Sequence, residues 1–235
     1  RSIASRCAEL AVRAAQYTDG KGNGLHPTAI AQLEFMRDDA ATTVCSVYDP
    51  ALAIIVQGKK KILLGEETYH YGVAQHLVVS VELPVRGFHV EATPNKPFLG
   101  LLVKLAPIEL YDIVTQVQSR TETQPRAGTK ERSCRGLLVS HVDLPLLDCA
   151  FRLTQLLDTP LDIPFLAPLI IHEIYYRLLM GEQGEAIRQI ATSGSNMQRI
   201  AGVLELIKAD FAQSLRVEEL AEQANMSASS CHRHF

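Results

Sequence analysis

His70, His76 and His89 lie in the β-rich centre of the chain, with Glu82 and Glu91 near them in sequence. Imidazoles and carboxylates hold catalytic zinc, iron or manganese. A metal-binding barrel would present a close His-x-His pair with a downstream Glu and His, converging from adjacent strands. No His-x-His pair occurs in this stretch, so solvated or hydrogen-bonded imidazoles are expected there. His172-Glu173-Ile174-Tyr175-Tyr176 approaches the helical zinc-protease motif, but Tyr176 stands where the second histidine ligand is required. Gly20, Gly22 and Gly24 imitate a phosphate loop, yet no Lys-Ser or Lys-Thr follows; a flexible hinge is the better reading. No catalytic residue, metal ligand or cofactor is assigned.

Other side chains suit binding rather than bond-making. Lys59-Lys60-Lys61 beside a turn reads as a solvated charge run that protects a strand edge, with Lys60 the exception. Cys45 sits in a β-run on the side of Val47 and is expected to be a small buried hydrophobe rather than a sensing thiol. Tyr48, Tyr69 and Tyr71 combine an apolar ring with a hydroxyl, which suits either barrel packing or a small-ligand cavity.

The elements that must position these residues are legible from period and punctuation. Ile3, Cys7, Leu10, Ala11 and Ala14 recur at helical spacing, so a helical arm rather than a signal peptide is expected at the start. Runs at 43–48, 52–57, 60–64, 68–71, 76–83, 88–92 and 98–105 are short and β-rich, separated by turn residues that include Pro84 and Gly87; they predict a sandwich or barrel. A helix then begins near Ile108, and Gly136 to Ser140 reads as a brief returning strand. From Leu144 the chain is helical. One face carries Leu146, Leu153 and Leu157 and another Ile170, Ile174 and Leu178, more apolar surface than one small barrel covers, which predicts a homodimer.

The chain has 235 residues, 47% of them hydrophobic, which fits a globular protein of one large or two small domains. Lys104 and Glu109 interrupt its most apolar stretch, Phe98 to Leu110, so no membrane-spanning segment is expected. Five cysteines without a C-x-x-C pair fit a reducing cytoplasm. A net charge of -3 is unusual for a complete nucleic-acid-binding domain, so any such part must be small or incomplete here.

The final segment supplies that part. Val217, Leu220, Ala221 and Ala224 form an apolar stripe, Asn225 tolerates the left-handed turn, and Ser227 can cap a second helix through its hydroxyl. Two short helices joined in this way make a helix-turn-helix. On the second, Cys231 and Phe235 face inward and Ser229, His232 and Arg233 outward. These three are the candidate DNA-binding residues, Arg233 foremost because a guanidinium donates two hydrogen bonds to guanine.

Leu220-Ala221, Met226-Ser227 and Cys231-His232-Arg233-His234-Phe235 resemble the first helix-turn-helix of the AraC family of bacterial transcription regulators. Leu156 to Pro164, Leu166 to Ile170 and Glu173 to Leu179 are similar to the connector of the AraC subfamily with an AraC-type N-terminal sensor. Val47 to Pro50, Gln57 to Lys60 and Ser80 to Pro84 are similar to its barrel. The resemblance implies an α+β chain: a cupin-like β-barrel sensor, a helical connector, and the start of an all-α helix-turn-helix domain. The expected division is an arm at 1–24, the sensor at 25–142, a connector or dimerisation region at 143–195, and a linker helix with an incomplete DNA-binding domain at 196–235. Tyr48, Lys60, Tyr71 and His89 become the candidate effector-lining residues, although alternation alone leaves open which strand face is interior. The implied partners are operator DNA, an unidentified small molecule and a second copy of the chain, with RNA polymerase a possible fourth. The alternatives are a cupin-type metal-dependent isomerase or oxygenase, and a pure oligomerisation module.

Overall fold

The computed structural model describes residues 2–41, 43–121, 136–182 and 184–191. Helix α1 (Ile3–Thr18) opens at Ser2, whose side chain accepts from the Ser5 N–H and so satisfies an otherwise unpaired first-turn donor. The strands that follow are β1 (Gly24–Pro27), β2 (Leu33–Asp38), β3 (Thr43–Tyr48), β4 (Ala51–Gln57), β5 (Lys59–Leu64), β6 (Glu67–Gly72), β7 (Gln75–Val79), β8 (Leu83–Glu91) and β9 (Phe98–Lys104). Helix α2 (Pro107–Thr121), strand β10 (Leu137–His141) and helices α3 (Leu144–Gln155), α4 (Ile163–Met180) and α5 (Gly184–Ala191) complete the described chain.

The strands form two sheets, of order β1-β2-β9-β4-β7-β10 and β3-β8-β5-β6, paired antiparallel throughout. The larger sheet is covered on both faces. Along β4, Leu52, Ile54 and Val56 join Leu10, Leu110, Leu147 and Ile174 in a core shared with the helices, while Ala53 and Ile55 join Ile62, Tyr71 and Val85 between the sheets. Because successive side chains of a strand point to opposite faces, a strand covered twice must be apolar throughout, as Ala51 to Val56 is.

Several expectations change in detail. Strand β2 was hidden by Glu34, Arg37 and Asp38, which break the apolar pattern although Leu33 to Met36 are buried. The run 76–83 is not one strand: β7 ends at Val79 in the larger sheet and β8 begins at Leu83 in the smaller. Pro84 and Gly87, read as punctuation, lie inside β8. Pro84 pairs with Val47 of β3, but the pairing of β8 with β5 reaches only to Arg86, so on that side its missing N–H interrupts no ladder. Cys45 is exposed rather than buried, because it lies on edge strand β3 on the face turned away from the other sheet.

The connector is also packed differently from the expectation. Leu146, Leu153, Ile170, Ile174 and Leu178 are buried within the chain, against α1, the larger sheet and one another. They are therefore not free for a second copy. Arg6 of α1 fixes α3 through Asp148 (Nε to Oδ1, 2.6 Å), with its guanidinium over the Phe151 ring at 4.2 Å. Tyr175 of α4 fixes the sheet: its hydroxyl donates to the Lys104 carbonyl at 2.8 Å and accepts from the Ala106 N–H at 3.0 Å.

Candidate functional site

Between the sheets lies a cavity of about 240 Å³. Met36, Ala53, Leu77, Val79, Phe98 and Leu102 of the larger sheet give it apolar walls, and Tyr48, Lys60 and Tyr71 of the smaller sheet give it polar ones. Gly100, between Leu99 and Leu101 on β9, lets the Met36 methyl and the Ile54 carbonyl pack against the strand, since a Cβ there would lie 2.5 and 2.9 Å from them. Leu25 and Val47, 55% and 45% exposed, place apolar side chains where the cavity approaches the surface.

The alternation of β5 separates the lysine run. Lys59 points to solvent and pairs with Glu91 at 2.8 Å, whereas Lys60 turns inward and is 9% exposed. Its ammonium sits 5.3 Å from the Tyr48 ring centroid and 5.7 Å from that of Phe98. The Tyr48 hydroxyl is buried and has no hydrogen-bond partner. Complete burial holds the Tyr71 phenol well above its ordinary pKa, so it remains a neutral donor at any physiological pH. Burial also raises the Asp38 carboxyl, against the opposing pull of Lys60. Lys104 at the cavity margin is bound to Glu34 at 2.7 Å.

Of the residues expected from sequence to line a cavity, Tyr48, Lys60 and Tyr71 are brought together. His89 stands opposite Lys60 in the register of β5 and β8. Ser229, His232 and Arg233 lie outside the described residues. Asp38, Met36 and Phe98 were missed. Phe98 and Met36 carried no signal beyond hydrophobicity, and Asp38 belongs to the strand whose charges concealed it. His70 and His76 do not converge: His70 is exposed on β6, and His76 is buried on the helix-facing side of β7. Among the described residues no group of three or more His, Cys, Asp or Glu could hold a metal ion.

A second cavity of about 240 Å³ lies where the larger sheet meets the helices, lined by His76, Ser140, Asp143, Arg177 and Glu182. The His76 Nδ1 is buried there without a partner, and burial lowers the pKa of its ring.

The family model of the AraC-type transcriptional regulator N-terminus matches residues 29–186, which span strands β2 to β10 and helices α2 to α4. The chain belongs to this family. No curated protein matches it in sequence. Among solved structures, ToxT from Vibrio cholerae O395 bound to (E)-4-(8-methylnaphthalen-1-yl)but-3-enoic acid is similar at TM-score 0.55 and 10% identity, over 86% of this chain and 74% of that one. Unsaturated fatty acid bound wild-type ToxT from Vibrio cholerae strain SCE256 gives 0.51 and 9%, over 86% and 71%. The AraC-like transcriptional activator CuxR gives 0.40 and 12%, over 87% and 70%. At these identities the ToxT structures show a shared fold: this AraC-type chain is a mixed α+β protein with a β-rich sheet domain followed by helices.

Proposed function

We propose that this chain is a cytoplasmic transcription regulator in which a small molecule held between the two sheets changes how the sensor presents a C-terminal helix-turn-helix to operator DNA. The observation that carries the reading is the inter-sheet cavity, largely apolar and furnished with one buried lysine, inside a domain of the AraC type. Few, well-placed polar groups in an apolar recess are how small-ligand sites obtain both affinity and orientation. That two ToxT structures hold an organic acid or a fatty acid supports small-molecule sensing on this fold. Effector and operator would then be linked reciprocally.

The proposed division keeps an arm at 1–24, a sensor at 25–142, a connector at 143–195 and the helix-turn-helix part at 196–235, with RNA polymerase as a further partner. The arm and connector share one buried core with the sensor's larger sheet, which gives the sheet a mechanical route to the helices. Homodimerisation is retained, but on a different surface: Leu161 (88% exposed), Phe165 (75%) and Leu169 (66%), with Tyr176 and Met180, line the outer side of α4 and the turn before it.

The test is a mobility-shift assay of the full-length gene product on its own upstream region, with excess nonspecific DNA. A specific complex is expected. Arg233→Ala should cost about 1–3 kcal/mol and relax preference at one base pair, as for loss of a bidentate base contact. Unchanged preference in that variant would show that another residue reads the site.

A further inference from the structure

We propose that the inter-sheet cavity takes a compact monocarboxylic acid, its carboxylate held by Lys60 and Tyr48 and its aliphatic or aromatic body by the apolar walls. This rests on the sensor reading above and gives the effector a chemical class.

Lys60 is 9% exposed, yet no carboxylate among the described residues lies within ion-pair distance of its ammonium; Lys59 and Lys104, by contrast, each have one. A buried ammonium with no anion in contact is costly, and the partly buried Asp38 carboxyl acts on it only from beyond ion-pair distance. The Tyr48 and Phe98 rings offset part of that cost through their π-faces but supply no acceptor. Beside it the Tyr48 hydroxyl is buried and unbonded, and Tyr71 adds a second phenol to the same wall. One ammonium and two hydroxyls are a donor set. What complements it is an acceptor-only group with a single charge, which a carboxylate is. A phosphate would bring nearly two charges to one lysine and meet nearly twice the repulsion that a carboxylate meets from Asp38, which lines the same cavity from the larger sheet. A sugar would bring hydroxyls to Met36, Ala53, Leu77, Val79 and Leu102, which can bond none of them. At about 240 Å³ the space is below the ~300 Å³ at which drug-sized pockets begin, so the acid is small.

The test measures thermal shift and titration calorimetry on the 235-residue chain with benzoate, phenylacetate and octanoate. Their primary amides, oleate, arabinose and inorganic phosphate serve as comparators. The short acids should raise Tm and saturate, with the amides at least about tenfold weaker, as expected when a charge-assisted bond is lost. Lys60→Met should weaken the acids roughly thirtyfold or more while the free protein melts no lower, and Lys60→Arg should retain them. If Lys60→Met does not fold, the acid-to-amide ratio on the unmodified chain and a several-fold loss in Tyr48→Phe decide the matter. Equal binding of acids and amides, or no effect of either substitution, would overturn the proposal. So would binding of oleate alone. Failure of the acids with saturation by an amide, arabinose or phosphate would overturn the acid class and leave the sensor reading standing, whereas failure of every probe would remove both.

Discussion

Glu173 shows how far a residue's role can depart from the motif that draws attention to it. In sequence it is the acid of a broken zinc motif; in the structure it accepts hydrogen bonds from Arg152 and, at 2.9 and 2.6 Å, from Nε and Nη2 of Arg177, joining α3 to α4. Those two guanidinium contacts, the Arg152 one first, lower its pKa to about 2. A depressed carboxyl pKa contributes stability that is complete above the unfolded value near 4.5 and is lost as pH falls toward 2. With a third of the Glu173 side chain and about half of Arg152 exposed, solvent screening reduces the contribution to about 1 kcal/mol. Urea titrations at pH 6 and pH 2 should therefore show Glu173→Gln less stable than the parent at pH 6 and nearly equal to it at pH 2. An equal difference at both pH values would mean that the pair contributes through packing alone. Lys60 makes the complementary point: its departure from the charge run could be anticipated from strand alternation, but its inward direction could not.

Helix α4 is apolar on two sides. Ala167, Ile170, Ile171, Ile174 and Leu178 are buried against the chain, and Phe165, Leu169, Tyr176 and Met180 recur on the opposite side in solvent. This makes Pro160–Met180 long and apolar enough by composition to cross a membrane, which the sequence reading overlooked. His172, Glu173 and Arg177 on the same segment, and its buried face, fit a core helix better. An exposed stripe of this kind is unusual on a monomer, and two copies packing the same stripe form a self-complementary interface. The unmodified chain should scatter light as a dimer at tens of micromolar, and the double variant Phe165→Glu, Leu169→Glu as a monomer with unchanged circular dichroism. A monomeric parent would remove the interface.

At the scale of the whole molecule, the helices and the larger sheet share one core, and Tyr175 ties them at the end of β9. Tyr175→Phe keeps the ring but leaves the Lys104 carbonyl and the Ala106 N–H without their partner, at a cost of about 1–3 kcal/mol. Calorimetry should show one transition, shifted down as a unit; a split into two would show that sensor and helices unfold independently. Most strands and helices, the class of the fold and the family resemblance are legible in the sequence, because local periodicity and turn chemistry record which residues share a face. The sequence could not determine which face is inside. That depends on the register and on what covers each side, and a strand covered on both, such as β4, erases the alternation that would have revealed it. For the same reason only the tertiary structure placed Tyr48, Lys60 and Tyr71 around one cavity, exposed Cys45, and moved the free apolar surface from the inner faces of α3 and α4 to the outer side of α4.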